Sequence, residues 1–318
     1  VSGTTDASTD GIGGRVSFKN KSPEDYLVDG KTIAGTAKVG YSSADEAWLS
    51  SVTGAVGNDE LKALVAYAHR DGHETKPNSK TKAFPTDWKS DAVLGRVLWT
   101  LSDQHQFNLT GDFYRKTADT TGISASLFSN YKSDATQQQD IDRTQFSLEH
   151  IYKPANFALF DQLKSKMWYQ ESNNETDTSF MNSATVARDF STTYKEKNTG
   201  IKFDASKNLE QQTLKYGLAV DQKDYSSTKV DLRNGATLPT LYQDGYLLDS
   251  ELKRYAAYFS DEIRLGLFGR DLTLTPSVRF ERQEYRPDSS SYSDVQARDF
   301  SYVSPSFAAR SEEHTSEL

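Results

Sequence analysis

The sequence predicts an all-β protein, a transmembrane antiparallel β-barrel, on three observations. Polar and apolar residues alternate with a period of two in segment after segment, as in a strand with one greasy and one wet face. Most of these segments have about 10 to 13 residues, and a tilted strand crosses a bilayer in about 9 to 11. Tight connections alternate with long polar ones, which places the short turns at one end of the strands and the long loops at the other.

Taken in order, the pattern predicts strands near 32–42, 46–57, 60–70, 91–101, 106–116, 142–153, 161–171, 195–206, 212–223, 252–265, 271–284 and 300–309. The clearest stretches carry the argument. Phe107, Leu109, Gly111 and Phe113 interleave with Gln106, Asn108, Thr110 and Asp112. Ile201, Phe203 and Ala205 interleave with Lys202, Asp204 and Ser206. Leu214, Tyr216, Leu218 and Val220 alternate with Thr213, Lys215, Gly217, Ala219 and Asp221. Leu272, Leu274, Pro276, Val278 and Phe280 alternate with Thr273, Thr275, Ser277, Arg279 and Glu281. Pro276 cannot donate a ladder hydrogen bond, so either the pairing bulges there or the strand ends earlier. The strand at 91–101 is imperfect, because Leu94 and Leu98 share a face with Arg96.

The connections at 57–60, 102–105, 207–211 and 266–270 are tight, and 154–160 is only slightly longer. The stretches 71–90, 117–141, 172–194, 224–250 and 285–299 are long and polar, and only the first gap on that side, near 43–45, is short. A soluble β-sandwich would also alternate, but its loop lengths would not sort by end. Tyr41, Trp48, Tyr67, Trp99, Tyr152, Trp168, Tyr169 and Tyr285 lie near strand ends. There they suit the aromatic girdles of a membrane barrel, although aromatic residues favour any strand.

Composition narrows the classes of function. No run approaches the length of apolar sequence that a membrane helix needs. There is no cysteine, which excludes disulfides, thiolate metal sites and cysteine nucleophiles. A formal charge of -8 gives no basic footprint for nucleic acid. The chain starts at Val1, and residues 310–318 (RSEEHTSEL) read as a non-native, adapter-derived tail.

Residues 11–18 (GIGGRVSF) and 19–27 (KNKSPEDYL) resemble the end of the plug domain of TonB-dependent outer-membrane receptors. Residues 35–45 (GTAKVGYSSAD) and 66–74 (AYAHRDGHE) resemble their first and third strands. These two stretches are most similar to the branch of receptors for haem, haemoglobin, transferrin and lactoferrin. Residues 255–263 (YAAYFSDEI) and 272–280 (LTLTPSVRF) resemble a hairpin shared by many such receptors. The resemblance implies a plug-filled barrel of about 22 strands in the bacterial outer membrane, of which this chain supplies about twelve. It implies 1–27 as the end of the plug domain with its connector and 28–309 as the N-terminal half of the barrel, followed by the tail at 310–318. It implies uptake of haem, or of haem from a host haem protein, energised by the TonB complex. A ferric siderophore receptor is the alternative within the same build, and a passive porin lies outside it. Haem would be the transported ligand rather than a cofactor, and the family's haem-ligating histidine motif lies beyond the residues present. Gly11, Gly13 and Gly14 would permit tight turns where the plug tail meets the wall.

No bond chemistry is expected, and no nucleophile-elbow triad is visible. His69 and His73 are spaced i, i+4, which makes a metal pair only on a helix, and here one falls at a strand end and the other in a loop. His73 could ligate haem iron, or it is a solvated loop histidine. His105 in a tight turn and His150 on a greasy face read as interfacial. Asp221 with Asp224, and Asp261 with Glu262, read as satisfied polar interior rather than acid pairs for hydrolysis. The loops 117–141, 172–194 and 224–250 are rich in Ser, Thr, Asn, Asp and Tyr, a composition that suits protein recognition or plain solvation.

Overall fold

The computed structural model describes residues 20–77, 83–123, 134–181, 183–237, 248–267, 270–288 and 295–312. Gly11, Gly13 and Gly14 lie outside the described residues. A short 3-10 turn, Pro23–Asp25, precedes one antiparallel sheet. Its strands are β1 (Ile33–Ser42), β2 (Ala47–Gly57), β3 (Leu61–Gly72), β4 (Thr86–Ser102), β5 (His105–Ile123), β6 (Ala135–Tyr152), β7 (Gln162–Met181), β8 (Ala187–Asn208) and β9 (Gln212–Arg233). The two-residue β10 (Ala236–Thr237) folds back on β9, and β11 (Ser250–Leu267), β12 (Arg270–Pro287) and β13 (Arg298–Glu312) complete the sheet. With β10 set aside, each strand pairs with the next in sequence, β9 pairing directly with β11, so the path is an uninterrupted meander with β1 and β13 at its two edges.

The twelve predicted strands are all present and in order, but most run longer than the alternation predicted. β7 reaches Met181 and β8 begins at Ala187, paired with each other to their ends, where the sequence suggested a loop over 172–194. The expected loops 117–141 and 224–250 shrink likewise, because β5 continues to Ile123 and β9 to Arg233. The physical reason is that these strand tips are mostly polar and have no apolar set that alternates cleanly. Ladder hydrogen bonds extend a strand without any hydrophobic alternation to announce it. Connection length also does not sort strictly by end: residues 182–186 separate β7 from β8, whereas the longer 153–161 separates β6 from β7 at the tight-turn end.

The turns show their chemistry. The Asn58 side chain accepts from the backbone N–H of Glu60 and Leu61 at 3.0 and 2.8 Å, an Asx turn closing β2 on β3. Asn234 and Gly235 both have positive φ, 49° and 76°, as a tight hairpin from β9 into β10 requires. At Pro276 the β11–β12 ladder skips two pairs, from Ser260↔Ser277 to Ile263↔Leu274, with the same register on both sides. Pro276 still sits opposite Phe307 in β13. The strand therefore neither bulges nor ends there. It loses the bonds proline cannot make and continues.

Register divides the sheet into two faces. One carries Val52, Val65, Leu109, Met167, Phe203, Leu218, Phe259, Val278 and Phe307, all exposed. An apolar face this continuous, left open to the surroundings on a single-layer sheet, is what a barrel turns to hydrocarbon. The opposite face carries Thr53, Arg96, Asp221, Arg279 and Glu281, and residues 20–27 lie against it. The first is the outer face of the wall, the second the inner.

Candidate functional site

The inner face is where polar side chains converge. At the tight-turn end, Lys21 Nζ donates to Thr53 Oγ1 at 3.0 Å, and Glu24 pairs with Lys62 at 3.6 Å. Arg96 bonds Asn108 Oδ1 at 3.0 Å through Nε and turns Nη1 toward the carbonyls of Asn20 and Lys21 at 3.4 Å. The misfit of Arg96 among apolar neighbours thus has a cause: it holds the connector to the wall. Ser22 N–H donates to Asp25 at 2.7 Å and Pro23 opens the turn, which fixes the connector's bend.

Across β7 to β13 the inner face is a string of ion pairs. Arg254 Nε donates to Asp221 at 2.9 Å, and Asp221 is nearly buried. Lys202 pairs with Asp204, which accepts from Tyr258. Glu262 takes Lys215 and Arg264 at 3.3 and 3.2 Å. Glu281, fully buried, accepts from Arg279 and Tyr302, each at 2.6 Å, and from Gln283 at 2.7 Å. Trp168 donates to Asn198 at 3.1 Å. Toward the long-strand end, Arg188 clasps the buried Asp231 and lies over Phe180, while Lys229 lies over Phe190. Charges so matched present a polar wall, suited to supporting a polar body or a polar cargo.

The sequence candidates fall out as follows. His69 lies on the outer face at the long-strand end, its Nδ1 2.8 Å from Asp91, which also accepts from Tyr67 at 2.6 Å. His73 lies just past β3, its Nδ1 2.7 Å from Asp87. The two histidines therefore take separate carboxylates. His105 and His150 meet on the outer face at the tight-turn rim, Nδ1 to Nε2 at 3.0 Å, a contact the sequence did not suggest. Asp221 and Asp224 are separated by the pleat: Asp221 binds Arg254 inside, and Asp224 accepts from Gln222 outside at 2.9 Å. Glu262 points inward, while Asp261 points outward with one carboxylate oxygen lacking a hydrogen-bond partner.

Two expected girdle residues are misplaced. Trp168 points inward against Gly200, and Tyr285 shares the inner face with Glu281 and Gln283. Alternation gives the face only when the apolar set is unambiguous, and at 164–168 lysines alternate with Ser165 and Met167. The cluster of Phe180, Arg188, Phe190 and Lys229 was missed because it sits in strand tips that read as loop. Its only sequence signal is the spacing of Arg188, Phe190, Thr192 and Tyr194 by twos.

Outside the strands, a few charges are tuned by neighbours. Lys76 bonded to Glu46 holds that carboxyl below its ordinary value and is itself raised. Lys207 and the Asn208 N–H hold Asp161 low.

Comparison with known proteins places this wall. The family model described as TonB dependent receptor-like, beta-barrel matches residues 87–315. A haemoglobin and haemoglobin-haptoglobin-binding protein of Haemophilus ducreyi is 32% identical over 132 residues, 38% of this chain and 13% of that protein. Lactoferrin-binding protein A of Neisseria meningitidis is 30% identical over 76 residues, 24% of this chain and 8% of that protein. Among solved structures, the FrpB iron transporter of Neisseria meningitidis (F3-3 variant) superposes with TM-score 0.65 at 15% identity, covering 93% of this chain and 47% of that one. The copper transporter OprC gives 0.65 at 12% identity, covering 89% and 42%. The chain spans less than half the length of each of these proteins. It belongs to the TonB-dependent receptor β-barrel family and is an outer-membrane protein.

Proposed function

We propose that this chain forms part of the wall of an active-transport receptor that takes up haem, or haem from a host haem protein, with energy delivered through the TonB complex. The observation that carries the ligand class is the 32% identity to the haemoglobin-binding protein of Haemophilus ducreyi, since the structural likenesses speak for the fold alone. The geometry supports the mode of action. An unbroken antiparallel ladder from β1 to β13 gives a wall in which the backbone polar groups of neighbouring strands are paired. The connector at residues 20–27 is held inside that wall by Lys21, Glu24 and Arg96, where it would tether an upstream plug. Strand tips beyond the apolar band carry the wall away from the membrane and toward a ligand outside. Moving a plug then needs a component that binds its two states differently, the role assigned here to the TonB complex.

A ferric siderophore is the second reading, because the same fold serves other cargo: the ferric citrate transporter FecA shares it, with TM-score 0.53 at 15% identity. A passive porin is disfavoured by the docked connector. The test is growth of an iron-starved strain whose other haem receptors are deleted, complemented with the complete protein. Growth on haemoglobin or haem that disappears when TonB is removed supports the proposal. Growth on ferric siderophore alone replaces the haem reading with the siderophore one, and TonB-independent uptake replaces both with a pore.

A further inference from the structure

The 153–161 connection is unusual for its end of the wall: it is the longest there, and its tip, residues 155–160, is Ala-Asn-Phe-Ala-Leu-Phe. Short apolar turns normally hide their greasy residues, but Phe157 is 42% exposed and Leu159 65%. The segment is nonetheless firmly held. Lys153 N–H donates to the Gln104 carbonyl and Asp161 N–H to the Ser206 carbonyl, both at 2.9 Å. Lys207 Nζ donates to the Phe157 carbonyl at 3.0 Å and to Asp161 at 2.7 Å, and Asn208 N–H donates to Asp161 at 2.8 Å. Tyr216 hydroxyl donates to the Leu159 carbonyl at 2.7 Å. The loop is thus tied to the β4–β5 turn through Gln104, to the end of β8 through Ser206, Lys207 and Asn208, and to β9 through Tyr216.

The side of the wall is fixed by two of its partners. Tyr216 alternates with Lys215 and Gly217 and so points outward with Leu214 and Leu218. Tyr152 points outward too, stacked on His105 at 4.7 Å, and meets Phe160 edge-on at 6.2 Å, which in turn touches Phe157 at 4.6 Å. The row continues through His150 and Phe107 to Trp99, at 4.5 and 5.6 Å between neighbouring rings. The loop therefore lies along the outer rim, continuous with an aromatic belt, with two of its carbonyls pinned by the wall, Phe160 packed on Tyr152, and Phe157 and Leu159 exposed.

We propose that residues 153–161 are an interfacial anchor that lies in the periplasmic leaflet of the outer membrane and binds phospholipid, seating Phe157 and Leu159 among the acyl chains. Aromatic rings at the depth of the headgroups and apolar side chains just inside them are the arrangement of a segment lying in a membrane interface. The occupant follows from continuity with the apolar band: lipid that wets Leu214 and Leu218 reaches the loop without a break. Lys153, exposed beside it, is placed to meet a lipid phosphate. The pinned backbone matters, because an ordered loop inserts without losing conformational freedom at that moment. The inference rests on the outer face meeting lipid, and the test separates the two.

The chain has no cysteine, so an introduced one labels at a single place once any cysteine elsewhere in the complete receptor is replaced by serine. Leu159→Cys and Phe157→Cys are made in the complete receptor, labelled with a small fluorophore and reconstituted in phosphatidylethanolamine–phosphatidylglycerol vesicles with brominated acyl chains. Leu109→Cys, in the middle of the outer band, reports lipid, and Asp59→Cys, in another turn of the same rim, reports water. The proposal expects both loop labels to lose fluorescence nearly as far as the Leu109 label and to be shielded from aqueous iodide. Adding Tyr216→Phe to Leu159→Cys is expected to reduce that loss, because the bond that holds the Leu159 carbonyl against the wall is gone. Quenching no stronger than at Asp59, with Leu109 fully quenched, overturns the anchor. A loop label shielded from iodide yet untouched by bromine overturns it in favour of a protein partner. An unquenched Leu109 label overturns the lipid-facing wall itself, and the anchor with it.

Discussion

The indole of Trp168 fills the space that a side chain at Gly200 would occupy. A Cβ built on Gly200 falls 2.2 Å from the Trp168 ring and 2.8 Å from Cβ of Asp221. Gly200 lies directly opposite both residues, on β7 and β9. The tryptophan can lie flat over its neighbour strand and donate to Asn198 only because residue 200 has no side chain.

Gly200→Val is accordingly expected to push the indole off Asn198 and to destabilise the wall by about 1–3 kcal/mol, the usual cost of overpacking. Gly54, where an added Cβ meets nothing within 4 Å, is the control, and Gly54→Ala is expected to change stability by no more than about 0.5 kcal/mol. Urea unfolding of the complete protein from lipid vesicles measures both. Equal effects at the two glycines would contradict the packing argument.

The Trp168 contact also marks where the sequence stops being legible. Strand existence and order followed from alternation alone, because Leu214–Val220 or Leu272–Phe280 has one unbroken apolar set and a lipid-facing wall needs nothing else. Face assignment failed at Trp168 because the aromatic residue there belongs to the polar set, and an aromatic residue near a strand end looks the same whether it sits in a girdle or against a glycine. Strand ends failed where polar residues predominate and no apolar set alternates cleanly, as over 173–180 and 188–195. The inner ion pairs were visible only as residue types: nothing in the spacing of Asp221 and Arg254 says they will be opposite one another. Partners on different strands are fixed by register, and register here is set by turns such as Asn58–Leu61 that act far from the pair.

Glu281 is the most enclosed charge of the inner face, and its four-membered cluster with Arg279, Gln283 and Tyr302 predicts a non-additive response. Glu281→Ala removes the anion and leaves the Arg279 guanidinium in the same nearly buried place, so a loss of about 3–5 kcal/mol is expected. The double change Arg279→Met with Glu281→Met removes both charges and keeps most of the volume. It is expected to cost clearly less than Glu281→Ala alone. Denaturant midpoints in the same vesicles decide it. A double variant as unstable as the sum of its single changes would mean the pair is not coupled.

The last prediction concerns acid. The segment after β3 folds over the β1–β2 turn: His73 N–H donates to the Asp45 carbonyl at 2.8 Å, Lys76 N–H to the Ala44 carbonyl at 2.9 Å, and Lys76 pairs with Glu46. The hydrogen bond from Lys76, and then its charge, hold the Glu46 carboxyl below its ordinary value. A carboxyl depressed in the folded state favours that state above its ordinary pKa, and the contribution is lost as pH falls through the lowered folded value. Asp45, lowered first by a bond from Ser42, and Glu74, lowered by the backbone N–H of Thr86, act in the same direction on the same turn. Between about pH 6 and pH 3, the amides of His73 and Lys76 are therefore expected to lose hydrogen-exchange protection, after correction for intrinsic rates, while the paired amides of β1 and β2 keep theirs. In Lys76→Gln the carboxyl of Glu46 loses its cation, and both amides are expected to be less protected already at neutral pH, with a smaller further loss on acidification. Protection that rises as the pH is lowered, or a pH profile that Lys76→Gln leaves untouched, would show that this ion pair does not hold the segment in place.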